Sequence, residues 1–308
     1  MTRFIIMRLI QTVIALFGIL FLVFVLVRAT GDPTALLRTP STTPEQVEVM
    51  RHQMGLDRSQ PVQFAIFVKD ALTGDLGTSF VKRRTVVAMI GDALPNTLKL
   101  IVPSFVIGML LALLLGVLGA VRKDSISDNG VKFIAILGQA LPGFWVAIML
   151  ILVFSVAWPI LPAGGQKNGI LSYILPVGTL VFFLLPGMLR LVRSSMLDVL
   201  DSEYIKLARI KGLPERVIIW KHALRNALIA PLTVAGLLLG MMITGAVITE
   251  QIFTWPGMGK LMLDAVLGRD FPVVQSTVLF VAAVILLSNL LVDILYAYID
   301  PQIRFQKS

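Results

Sequence analysis

Few residues in this 308-residue chain invite a catalytic reading, and each one fails a test of spacing or place. Gly257, Gly259 and Lys260 suggest a phosphate-cradling loop. That loop needs a longer glycine spacing and a Ser or Thr after the lysine, where Leu261 stands here. The two histidines, His52 and His222, both fall outside the apolar runs, so a buried serine–histidine or histidine–metal site is not expected. There is no cysteine, which excludes thiolate catalysis, disulfides and cysteine-held metals. What remains is a basic stretch from Asp201 to Pro231, patterned for helix and set between two long apolar runs.

Its residue types suit mechanical contact. At about 100° per residue, Tyr204, Leu207 and Ala208 share a face of a helix over Glu203–Lys211, with Lys206 and Arg209 opposite. Gly212 stops that helix, because glycine reaches the left-handed conformation a sharp turn needs. Pro214 suits the first turn of a second helix, on which Val217, Trp220 and Leu224 form an apolar stripe. The reading is helix, glycine turn, helix, with Glu203, Tyr204, Leu207, Ala208, Lys211 and Gly212 either a docking set or part of a solvated or headgroup-bound basic helix.

The elements around it are membrane spans. The chain is 56% hydrophobic and 15% charged, with a mean hydropathy of +0.87. A soluble domain carries about 25% charged residues. The expected fold is an all-α polytopic bundle of six transmembrane helices in a single transmembrane domain. The spans are about 9–27, 100–121, 133–157, 170–189, 227–249 and 273–292. An external loop occupies 30–96, the basic loop 201–226 and a second external segment 250–272. The first run covers about 28 Å, enough to cross the hydrocarbon core. It is longer than a signal-peptide core and Arg28 stands where a cleavage site wants a small residue, so it reads as an uncleaved span. In the first loop, Glu45–Met54 and Gln63–Leu72 read as short helices, and the whole loop as a cap built for packing. Leu141-Pro142-Gly143 predicts a kink in the third span, Gly236 and Gly240 a packing face in the fifth, and Lys260–Leu267 a short outer helix.

Net charge is +9, which on a membrane protein points to lipid headgroups and no nucleic acid. Eight basic residues lie between Arg190 and Arg225, whereas the short loops on the other side hold only Lys167, Lys260 and Arg269. This places both termini and the basic stretch in the cytoplasm. Arg190 and Arg193 read as inner anchors of the fourth span. The six runs contain no Asp, Glu, Lys, Arg or His, which argues against an ion-coupled carrier.

The stretch E-Y-I-K-L-A-R-I-K-G-L followed by H-A-L-R-N-A-L-I resembles the coupling loop of permease subunits in bacterial ATP-binding-cassette (ABC) importers. The likeness is greatest to the dipeptide, oligopeptide and nickel branch. Of that family's E-A-A-x-x-x-G signature, Ala208 and Gly212 match the second alanine and the glycine. Lys206 and Leu207 replace the first two positions. A-T-G-D-P, G-D-L-G-T-S-F, T-W-P-G-M-G-K-L, R-D-F-P and the closing D-P-Q-I-R extend the resemblance along essentially the whole chain. It implies a type I importer permease in the bacterial inner membrane that works by alternating access. The implied partners are a second homologous permease, two ABC ATPase subunits that bind ATP and Mg, and an extracytoplasmic solute-binding protein. The implied cargo is a peptide, or else nickel, a sugar or an opine. No cofactor or metal is expected in this chain, nor an ATPase site of its own.

Gln139, Ser155, Thr179 and Asn289 are candidates for lining the translocation path, and each is equally well explained as an interhelical hydrogen-bonding group. A stand-alone channel is the rival function and an intramembrane enzyme a more distant one. The channel would tolerate loss of the coupling loop.

Overall fold

The computed structural model describes residues 2–29, 34, 43–53 and 55–299, with side chains described from 6 to 290 within those bounds, 50 and 53 apart. The closing D-P-Q-I-R motif lies outside the described residues, as do the turn-rich segments around Gly31–Pro33 and Thr39–Pro40. Among the described residues the structure is helical, with an isolated bridge between Thr78 and Thr85.

Five helices are long and apolar enough to cross a membrane, and a bent pair makes a sixth if it counts as one span. Helix α1 is Thr2–Ala29, α2 Pro44–Gln53 and α3 Gln60–Thr73. Helix α4 is Val86–Val121, α5 Ile126–Ala140 and α6 Gly143–Ile151, which runs into a π turn over Leu152–Ala157. Helix α7 is Leu171–Leu200 and α8 Glu203–Ile210. A second arm follows from α9 (Glu215–Val217) through a π turn over Ile218–Ala223 to α10 (Leu224–Ala227). Then come α11 (Ile229–Ile252), α12 (Met258–Leu267) and α13 (Phe271–Ile299).

Several boundaries move from the sequence reading. Helix α4 begins at Val86, inside what reads as external loop, and its 36 residues span about 54 Å. Leu141 and Pro142 break the third span outright, because the segments on either side meet at 100°. Pro142 is extended, with ψ 136°, and caps α6. Helix α7 runs ten residues past Arg190 to Leu200, continuous through Pro176 and Pro186. Neighbouring helices bury both prolines, the condition under which a span tolerates them.

The chain divides into two compact units, one of Met1–Asn96 with Pro256–Leu290, the other of Thr97–Trp255 with Leu291–Ser308. In the first unit, Phe17, Phe21 and Phe24, at helical spacing on α1, close edge-on around Phe64 of α3 at 5.7, 5.6 and 5.1 Å. Gly74 ends α3 at φ +79°. Two motifs quoted above then meet. Asp270 of R-D-F-P, 3% exposed, accepts from the Ser79 hydroxyl and from the Phe80 backbone N–H at 3.0 Å, pinning the G-D-L-G-T-S-F loop to the start of α13.

The second unit is built around α7, whose Leu180, Leu184, Met188, Leu189 and Met196 are fully buried. Gly108 and Gly116 of α4 lie against it. A β-carbon at either would sit 2.7 Å from Leu184 or Val192, so these glycines set how closely the helices approach. Trp255 of the W-P-G motif is a core residue here, edge-on to Tyr173 at 4.8 Å.

Candidate functional site

Helix α8 has one fully buried side chain. Ile205 is fully buried in a cluster with Val192, Met196, Leu200, Ile218, Ala223 and Leu224. Tyr204 (44%), Leu207 (51%) and Ile210 (82%) point away from that cluster and are exposed. Lys211 is exposed too. Ala208 is half-buried against the cluster, so it packs at the edge of the helix and is not on the open face. Ile205 and Ile210, the two residues that define the inner and outer faces, were missed in the sequence. An apolar pair five residues apart falls on opposite sides of a helix, and this was the available signal.

The turn forms as glycine chemistry requires. Gly212 has φ +75°, its N–H donates to the Arg209 carbonyl at 2.9 Å, and the Leu213 N–H reaches the Ala208 carbonyl at 3.3 Å. Pro214 opens the second arm as the cap of α9. Arg209 spans the turn to Glu215 at 2.8 Å, and Asn226 Nδ2 donates to the Tyr204 hydroxyl at 2.8 Å. Glu203 binds the Lys206 ammonium at 2.7 Å, and this hydrogen bond holds the lysine pKa above its ordinary value.

The second arm keeps part of its expected stripe. Leu224 faces the cluster, with Ile218 and Ala223 beside it, while Trp220 is 47% exposed. The π turn over Ile218–Ala223 is wider than an α turn and shifts the phase of every side chain after it. Nothing lies within 4 Å of a β-carbon built at Gly212, so Gly212→Ala meets strain only from its positive φ. It is expected to cost about 1 kcal/mol, read as faster amide exchange over 203–213 with global stability unchanged.

Above α8, Arg193 is no lipid anchor. It donates to Asp128 of α5 through Nε at 2.6 Å and Nη2 at 2.9 Å, and Lys132 reaches the same carboxylate at 2.8 Å. Asp128 is fully buried, and it also accepts the Asp124 N–H at 2.9 Å. Arg190 is likewise engaged, by Gln139 Oε1 at 3.2 Å.

Each of the four path candidates has its own local setting. Gln139 is exposed and bound to Arg190. Thr179 is buried and its hydroxyl donates to the Leu175 carbonyl of its own helix at 3.0 Å. Ser155 lies in the π turn after α6, its buried Oγ without a hydrogen-bond partner. Asn289, half-buried on α13, belongs to the other unit. The rejected phosphate loop is a helix start, with Gly257 as cap and Lys260 paired to Asp264 at 3.2 Å. Among the described residues no group of His, Asp and Glu could hold a metal ion.

Comparison with known proteins places this architecture. Residues 108–305 match the family described as "Binding-protein-dependent transport system inner membrane component", and residues 1–101 match its N-terminal companion. The chain is 38% identical to the oligopeptide transport system permease protein AppB of Bacillus subtilis, covering 99% of this chain and all of that one. It is also 38% identical, at 99% and 100% coverage, to the glutathione transport system permease protein GsiC of Escherichia coli O6:H1. A putative peptide transport system permease protein of Brucella abortus, BAB2_1050, matches at 38% with the same coverage. A solved amino acid ABC transporter crystallised with histidines shares the fold. Its TM-score is 0.53 at 16% identity, over 70% of this chain and 94% of that chain. The chain belongs to the binding-protein-dependent transport system inner membrane components, as a permease subunit of an ABC importer.

Proposed function

We propose that this chain is one of a pair of permease subunits that move peptides, or a similar small solute, across the inner membrane by alternating access. Helix α8 is its handle for a separate ATPase. Peptide is favoured because the oligopeptide, putative peptide and glutathione permeases above carry that class of cargo in their names. The partners are a second permease, two ATPase subunits that bind ATP and Mg, and an external solute-binding protein. The chain itself has no ATP site. The basic residues flanking α8 favour a cytoplasmic hairpin and cytoplasmic termini.

The observation that carries this reading is the open apolar face of Tyr204, Leu207 and Ile210, on a helix seated from below by Ile205. Burying side chains of this size on association stabilises by about 1.5–3 kcal/mol each. A free helix in water has no reason to keep them exposed. The rival channel needs no such face.

Leu207→Asp and Ile210→Asp alter only exposed atoms, so the permease should still fold. Each is expected to reduce ATPase recovered on co-purification by about tenfold or more, a loss of roughly 1.4 kcal/mol or above. The second permease should remain. Full retention of ATPase in both variants, with transport intact, would reduce α8 to a surface helix.

A further inference from the structure

The first unit contains a cavity of 530 Å³ that no step above uses. The end of α1 lines it through Arg28, α3 through Gln63 and Phe67, the pinned loop through Ser79, and the start of α13 through Gln275. Its size suits a small organic ligand.

Arg28 is held on two sides. Its Nε and Nη2 donate to Gln63 Oε1 at 2.9 and 2.7 Å, and its guanidinium lies 3.5 Å over the Phe24 ring. Gln63 is itself aimed. Its Nε2 donates to the Arg58 carbonyl at 2.7 Å, which leaves its oxygen for Arg28. After all this Arg28 Nη1 is buried and has no hydrogen-bond partner. Gln275, only 6% exposed, has its Nε2 in the same condition. Both orphan atoms are donors. An arginine cannot escape by losing its proton, and a buried donor left unmade is costly. The other lining groups include Arg58 and Arg83, set against Asp70 and Asp75. Asp75 is occupied in part by the Gly77 N–H at 2.9 Å.

We infer that this cavity is a binding site for an oxyanion-bearing small molecule, with a carboxylate or phosphate oxygen accepting from Arg28 Nη1 and Gln275 Nε2. The planar guanidinium fork suits either group. Arg28 and Gln275 both line the cavity. Arg28 closes an apolar span, Ile6–Ala29, and lipid phosphates lie at that depth. The oxyanion therefore comes either from a lipid headgroup or from a free solute.

The test is a thermal-shift titration of the whole importer complex in a phosphate-free sugar detergent. The probes are inorganic phosphate, glycylglycine and short-chain phosphatidylglycerol. At least one is expected to give a saturating rise in Tm. Phosphatidylglycerol alone assigns a lipid headgroup, and glycylglycine or inorganic phosphate a free solute. Gln275→Leu is expected to raise the ligand-free Tm, because it removes an unpaired buried donor, and to weaken binding about tenfold. Arg28→Met should weaken it further, and if that variant fails to fold, Gln275→Leu carries the test. No saturating shift in the wild type, a lowered baseline in Gln275→Leu, or undiminished binding in both variants would overturn the assignment.

Discussion

Replacing Asp128 by Asn is expected to destabilise the second unit by about 3–5 kcal/mol, the cost of removing one partner from a buried ion pair. The carboxylate is fully buried and faces Arg193, whose side chain is 19% exposed, together with Lys132. Arg193 stays charged at any working pH, so without Asp128 a desolvated guanidinium faces an amide that cannot balance it. The environment leaves little room to rearrange. A β-carbon at Gly119 would already lie 3.4 Å from Asp128 Oδ1 and 3.1 Å from Val131. Arg193→Met alone should cost less, because Lys132 at 2.8 Å and the Asp124 N–H at 2.9 Å still hold the carboxylate. The paired change Asp128→Leu with Arg193→Met should recover most of either loss, since apolar replacements of buried pairs are often neutral or better. Thermal unfolding of wild type, Asp128→Leu, Arg193→Met and the double variant gives the cycle, with Asp128→Asn measured beside them. A single substitution within about 0.5 kcal/mol of wild type would place the pair in water, contrary to its burial.

Gly138→Ala and Gly130→Ala should move stability in opposite directions although both lie on α5. A β-carbon at Gly138 falls 2.2 Å from Pro186 Cγ and 3.0 Å from its Cβ. The proline ring cannot rotate aside, so α5 or α7 must shift, at a cost of about 1–3 kcal/mol or more. Gly130 is exposed with nothing within 4 Å of its added carbon. There alanine is expected to gain about 0.5–1 kcal/mol from helix propensity alone. Chemical or thermal unfolding in detergent checks both. Equal effects would mean that α5 does not approach Pro186 this closely.

The parts legible in the sequence were those carried by local pattern. Apolar run length marked the spans, the 3.6-residue period marked α8, and Gly212 marked its stop. Gly74 ended α3 in the same way. Parts set by tertiary contact were not legible. Arg193 next to an apolar run reads as a lipid anchor until Asp128, 65 residues away, is seen to hold it. Pro142 announces a kink, but packing on either side of it decides a 100° break. The π turn at Ile218–Ala223 uses residues equally at home in an α-helix, so the stripe through Trp220 came out in the wrong phase. Close packing was assigned to Gly236 and to the buried Gly240, while Gly108 and Gly116, two turns apart and pressed against α7, were missed. On α8, exposed side chains and those that contact the bundle share one apolar chemistry. Ala208 and Ile205 were therefore separable only by burial.

The hairpin's internal bonds have a consequence for timing. Arg209–Glu215, Asn226–Tyr204 and the Gly212 turn fix its shape before anything touches it. A docking partner then has no chain to order, and the entropy that a disordered loop loses on binding was already spent in folding. If α8 docks as proposed, successive engagements need not refold the contact each time. A preformed knuckle transmits displacement where a slack loop would absorb it.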